Sequence, residues 1–238
     1  FATGTWNDLG AMISDARGGQ LFTEEIGGEM GAVQREWGID VQWETWTVLA
    51  PVDTVQALVD AEPFVELSVI HSDKDCIIAG QAEGCQRVCQ AIGTRSCLRL
   101  HYDLAVHMPA LNQVRSRWLG LHRRTVVVQP NVRIYSAGYG KAYTPSEEAC
   151  AEAILAQANQ TLDFRRVIET AWSDGVRVFV EHGPQASCSR WIRDILGDRE
   201  AVVVALDRKG AGMTATLGAA ASLWTAGVEL NLDSLLLQ

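Results

Sequence analysis

The run Val176 to Val180, Val-Arg-Val-Phe-Val, is built of β-branched and aromatic residues and predicts a strand. Gly183-Pro184 ends it in a turn. Ser187 or Ser189 then stands where it can cap a helix whose Trp191, Ile192, Ile195 and Leu196 share one face. Strand, turn and helix start, in that order, place polar groups at the carboxyl edge of an α/β sheet, where ligand sites of that class lie.

The rest of the chain alternates in the same way. Helices are expected at 8–16, capped by Asn7 or Asp8, and at 23–37, with Arg17-Gly18-Gly19 as the break between them. A strand is expected at 41–49, a helix at 53–61, strands at 65–70 and 75–79, a helix at 81–92 and a strand at 96–100. A long amphipathic helix should follow Pro109 to about Arg123, then strands at 125–128 and 132–136. Helices from Ser146 to Asn159 and from Asp163 to Asp174 lead into the opening strand. A last strand, Ala201 to Leu206, passes through Lys209-Gly210-Ala211-Gly212 into a helix over 213–226. The alternation argues for an α/β fold, and 63–103 reads as strand, strand, helix, strand, a compact unit of its own.

Composition excludes several classes. A net charge of −9 disfavours nucleic acid and anionic membrane surfaces, and no apolar run approaches the length of a membrane span. Six cysteines in 238 residues are too few for a disulfide scaffold. Cys85, Cys89, Cys97 and His101 offer a zinc set on paper, but no tight Cys-x-x-Cys knuckle is present. Reduced, half-buried cysteines in a cytoplasmic protein are the expectation, with no metal. The start, Phe1 to Trp6, has neither a basic n-region nor an initiator Met, so a piece of a longer chain is expected.

Among groups able to do chemistry, His107 lies after a strand and before the proline that opens a helix. Neutral imidazole there can take a proton near neutral pH, although a lone histidine on a turn is more often a surface or capping residue. His101 and Asp103 alternate along the same strand. No Gly-x-Ser-x-Gly elbow, Walker loop or Gly-x-Gly-x-x-Gly occurs, and Tyr135-Ser136-Ala137-Gly138 has the wrong spacing for an elbow.

These residues together resemble a family, the malonyl/acyl-CoA:acyl-carrier-protein transacylase domains of fatty acid and polyketide synthases. Asp75-Cys76-Ile77-Ile78-Ala79-Gly80 is similar to the family's V-I-x-G strand and turn. Ala105-Val106-His107-Met108 resembles its A-F-H-S histidine motif, and Phe179-Val180-Glu181-His182-Gly183-Pro184 its F-x-E-V-G-P run. Ile134-Tyr135-Ser136 and Leu162-Asp163-Phe164 match its S-N strand and P-V-x-F segment. Leu21-Phe22, Gly27-Gly28, Arg35 and Trp37 look like the acyltransferases of polyunsaturated fatty acid and heterocyst-glycolipid-type synthases. There, a run like Phe1 to Trp6 follows directly on the serine elbow, so the elbow is expected a few residues before Phe1.

The resemblance implies an α/β-hydrolase-like large subdomain, incomplete here, with an inserted ferredoxin-like small subdomain. Residues 1–62 would be a remnant of the large part, 63–103 the insert, and 104–238 the rest of the large part. It implies ping-pong transfer of a malonyl or other acyl group from acyl-CoA to the phosphopantetheine thiol of an acyl carrier protein. No cofactor of its own is expected, and a ketosynthase domain would be adjacent. His107 takes the base role, and Gln157, with Asn159 and Gln160 close by, falls where the family orients that histidine through a carbonyl. Arg17 stands where malonyl-specific members keep a carboxylate-binding arginine, the alternative being a solvated loop arginine. Met108-Pro109 replaces Ser-Pro and would alter the acyl pocket; His182 replaces an aliphatic residue, as a second polar group near the site or a tolerated variant. Without the serine, this stretch is expected to be inactive alone; a non-catalytic docking or scaffolding domain of a megasynthase is the other reading.

Overall fold

The computed structural model describes residues 8–231, so the expectations for Phe1 to Asn7 lie outside the described residues. The chain divides into two units, one ending at Val167 and one beginning at Ile168. In the first, α1 (Leu9–Gly18) is capped by Asp8, whose carboxylate accepts the Ala11 N–H at 2.7 Å. The helix expected over 23–37 is broken. A π-type turn at Leu21–Glu25 is followed by α2 (Gly31–Trp37) only after Gly27-Gly28. Gly28 sits at φ 53°, and a Cβ there would meet the Thr23 carbonyl oxygen at 2.2 Å, so no continuous helix passes this point.

A five-stranded sheet follows. Its elements are β1 (Trp43–Val48), α3 (Val52–Asp60), β2 (Val65–Ser72), β3 (Asp75–Gln81), α4 (Ala82–Ile92) and β4 (Cys97–Leu100). The strand order is β4-β1-β3-β2, all neighbours antiparallel, with β7 (Leu162–Asp163) added parallel on the β2 edge. One face carries Val48, Leu67, Ile70, Cys76 and Ile78 and packs on α3 and α4 through Val55, Val59, Cys85 and Val88. The other face carries Thr45, Val69, Ile77 and Ala79 and walls the site described below.

The cysteines belong to this core. Cys85 and Cys89 are buried, and the Cys97 thiol donates to the Cys89 carbonyl at 3.9 Å. No three His, Cys, Asp or Glu side chains converge as metal ligands among the described residues. The four-residue zinc set is therefore not assembled, because α4 turns its cysteines into the apolar core. Burial pushes the Cys76 and Cys85 thiols up to about 12. Iodoacetamide at pH 8 is accordingly expected to spare both in the folded protein and to label both in urea, read by mass spectrometry. Rapid labelling of the folded protein would contradict the core placement.

Beyond β4 the chain runs as a loop, so His101 and Asp103 lie past the strand and are exposed. The helix expected after Pro109 opens instead as a 3₁₀ turn over Pro109–Val114 before α5 (Arg115–His122). Residues 125–128 form no strand; Val127 and Val128 are exposed, and β-branching alone does not hold a strand without a partner. A hairpin of β5 (Ile134–Ser136) and β6 (Lys141–Tyr143) precedes α6 (Glu147–Ala158), capped by Ser146.

The second unit holds most of α7 (Phe164–Ser173), then β8 (Val178–Glu181), α8 (Ser187–Leu196), β9 (Val202–Ala205) and α9 (Met213–Thr225). β8 and β9 pair in parallel with α8 as the crossover. The cap of α8 differs from expectation. Ala186 occupies the N-cap at φ 55° without a side-chain bond, and neither Ser187 nor Ser189 caps the helix. Glu181 does so from the end of β8, accepting the N–H groups of Cys188 at 3.2 Å and Ser189 at 2.6 Å. A carboxylate facing a helix N-terminus satisfies two free donors and the helix dipole together. Burial pushes the Glu181 carboxyl up, but its hydrogen bonds to Ser189, Cys188 and Ser187 outweigh this and hold it below the ordinary range. Its stabilisation is thus present above the ordinary carboxyl value and is lost as pH falls through the lowered one. Glu181→Ala is expected to cost about 1–2 kcal/mol, read as a lower urea midpoint at pH 7. An unchanged midpoint would show the cap to be idle. Among the described residues no helix is long and apolar enough to cross a membrane.

Candidate active site

His107 stands on the loop between β4 and the 3₁₀ turn, and three bonds hold that loop. Ala105 N–H donates to the Ile26 carbonyl at 2.6 Å, beside an isolated antiparallel bridge from Gly27 to Leu104. Met108 N–H donates to the Ala158 carbonyl at 3.1 Å. Between them, the Nδ1 of His107 lies 2.6 Å from the main-chain carbonyl of Gln157. A carbonyl only accepts, so Nδ1 carries the hydrogen, and in the neutral ring Nε2 keeps its lone pair. His107 adopts φ 62°, a left-handed conformation unusual for a residue with a side chain. The flanking bonds on both sides enforce it.

Burial pushes the His107 imidazole below its ordinary value; the Gln157 carbonyl opposes this, and nearby His71 adds to it. His71 is itself held by Asp75 at 3.0 Å across the β2–β3 turn. The ring is therefore uncharged at neutral pH, as a general base must be. It opens on a narrow crevice whose walls are Ile77, Ala79, Leu104 and Val106, with Thr45, Ser68 and Tyr102 as its polar members.

The sequence-derived candidates fall in different places. His107 and Gln157 meet, through the Gln157 backbone and not its amide. Asn159 instead donates its side-chain amide to Asn112 at 2.8 Å, and the amide of Gln160 donates to the Gly138 carbonyl at 2.5 Å. Met108 is fully buried in the core with Leu111 and Leu155 and does not line the crevice. Arg17 is exposed in the last turn of α1, also away from the crevice lining. His182 is exposed just after β8 in the second unit.

Two contributors escape a reading of the sequence for chemistry. A Cβ on Gly138 would lie 2.4 Å from the Gln157 nitrogen, so the β5–β6 turn rests on the backbone that holds His107. Ser68 enters the crevice through a β-bulge. Its sequence gives no sign of this: Val65-Glu66-Leu67-Ser68-Val69 alternates apolar and polar without a break, and the pattern departs only at Ile70.

The architecture matches solved structures. The acyltransferase domain from module 8 of the salinomycin polyketide synthase superimposes at TM-score 0.71 over 94% of this chain and 50% of its own, with 19% identity. The chain has the acyltransferase fold. A malonyl-CoA:acyl carrier protein transacylase from Xanthomonas oryzae pv. oryzae shares it at TM-score 0.62 over 82% of this chain and 61% of its own, with 16% identity. In sequence, a polyunsaturated fatty acid synthase subunit of Thraustochytrium sp. is 23% identical over 216 residues, 83% of this chain and 10% of that protein. Polyketide synthase 1 of Metarhizium album is 23% identical over 194 residues, 78% of this chain and 9% of that protein. The chain thus spans about a tenth of these curated relatives. No protein-family model matches it.

Proposed function

We propose that this chain is part of an acyltransferase domain that moves a malonyl or other acyl group from CoA to the phosphopantetheine thiol of an acyl carrier protein. The observation that carries the reading is the His107 ring, held through Nδ1 by the Gln157 carbonyl and left with a free Nε2. In the first half-reaction Nε2 takes the proton of a serine hydroxyl as its oxygen attacks the thioester carbonyl. The tetrahedral adduct collapses, the C–S bond breaks, and the CoA thiolate takes the proton from His107. In the second, the carrier's thiol gives its proton to His107 as its sulfur attacks the acyl-serine carbonyl; the C–O bond to serine breaks, and the serine oxygen takes the proton back from His107.

These 238 residues contain no Gly-x-Ser-x-Gly, so the reading calls for a serine supplied from outside them. The small subdomain is expected from the sequence over 63–103; because β1 pairs with β3 and β4, we draw it wider. The β-α-β-β-α-β unit over 43–100 would be the ferredoxin-like small subdomain, with the parallel β8–β9 pair and α8 part of the α/β-hydrolase-like large one. The setting is a cytoplasmic multidomain synthase with a ketosynthase next to this domain.

Radiolabelled malonyl-CoA and acetyl-CoA test the proposal. The protein extended upstream through its serine elbow is expected to become labelled and to pass the label to a carrier protein; the 238 residues alone are not. Absence of label in the extended protein would sink the transferase reading and favour a docking domain. Transfer by the 238 residues alone would refute an external nucleophile.

A further inference from the structure

The crevice beside His107 contains a polar group that the fold does not use. Ser68 is 3% exposed, and its hydroxyl finds no hydrogen-bond partner among the described residues. Such an orphan is costly, because burial strips its water without replacing it. The way it is delivered is specific. In the β2–β3 ladder Leu67 pairs with Ile78 and Val69 with Ile77, so Ser68 is the extra residue of a bulge. A regular strand would send Ser68 and Val69 to opposite faces, whereas the bulge turns both toward the crevice that His107 lines. Thr45, the neighbouring hydroxyl, already accepts the Trp43 indole N–H at 3.1 Å. The free room is about 10 Å³, that of one water-sized group.

The geometry points to Ser68 as a specificity-determining residue. Its hydroxyl donates to an oxygen at the far end of a short acyl unit, a carboxylate or carbonyl two carbons beyond the reacting thioester. A plain alkyl chain would leave the hydroxyl unpaired and press on Ile77 and Ala79, so it is disfavoured twice. This rests on the transferase reading above and adds the acyl class to it.

The test uses the protein extended through its serine elbow and compares kcat/KM for self-acylation by malonyl-CoA, acetyl-CoA and hexanoyl-CoA. Ser68→Ala is expected to lower the malonyl-to-acetyl ratio about 10- to 100-fold, the effect of losing a hydrogen bond to a charged group. Its Tm should be equal to or above that of the unsubstituted protein, because an orphan hydroxyl is removed, and this guards against misfolding as the cause. A ratio unchanged within about twofold, with acylation intact, would overturn the assignment alone and give Ser68 to an ordered water. No acylation of the unsubstituted protein by any of the three would overturn the transferase reading and this assignment with it.

Discussion

His107→Ala is expected to lower acyl transfer by the serine-containing protein about 10²- to 10⁴-fold while leaving its fold intact. The side chain is half-buried and its bond to Gln157 serves only itself, so truncation removes the base without unseating the loop. Ala105 and Met108 still tie that loop to Ile26 and Ala158. A retained near-ultraviolet spectrum with lost transfer is the expected pair of results; full transfer in the variant would end the assignment of His107 as base. The pH dependence has a definite sign. Burial lowers the His107 titration, so the neutral, competent ring persists below the ordinary histidine range and the acid limb of kcat/KM falls under 6.5. Stability follows the same group in the same direction. The unfolded chain binds the proton more readily than the fold, so Tm should decline as pH drops from 6.5 through the lowered value. His122 is also lowered, by burial first, and adds to that decline.

Gly138→Ala is expected to damage the fold and the site of His107 together. The new Cβ would stand 2.4 Å from the Gln157 nitrogen and 2.7 Å from the Ala156 carbonyl carbon, both main-chain atoms that no rotamer change can move. Overpacking of this kind costs about 1–3 kcal/mol, or some 2–4 °C in Tm for each kcal/mol in a chain of this size. The same displacement shifts the carbonyl that orients His107, and transfer should fall about tenfold or more. The pH profile separates positioning from simple loss of fold. The Gln157 bond raises the His107 titration against burial, so weakening it moves the acid limb to still lower pH. A variant with normal Tm and an unmoved limb would show that the turn does not bear on the ring.

Much of this fold is legible in residue patterns because it is locally determined. Ser146 caps α6 and Asp8 caps α1 where polar side chains precede apolar periodicity. β2 and β3 stand out as apolar runs separated by a turn at Asp73-Lys74. What is not legible depends on partners distant in the chain. Thr125 to Val128 has strand composition and no strand to pair with. The α8 cap comes from Glu181, across the Gly-Pro turn, whereas local spacing favours Ser187 or Ser189. At Gly27-Gly28 the positive φ of Gly28 outweighs good helical periodicity on both sides. His107 is visible as a residue type on a turn, and the resemblance suggests its carbonyl partner. Ser68 and Gly138 are hidden, one in a bulge and one in a contact with backbone.

The His107–Gln157 bond joins residues 50 positions apart. The base is therefore not a property of its own loop but of a closed circuit of chain. During synthesis the ring emerges well before the carbonyl that orients it, and long-range closure of this kind comes late in folding. Until α6 has docked, the imidazole has no fixed tautomer and no enforced left-handed turn. A half-made domain would carry an unoriented ring, and the oriented one would arrive at completion of the fold and not gradually along the way.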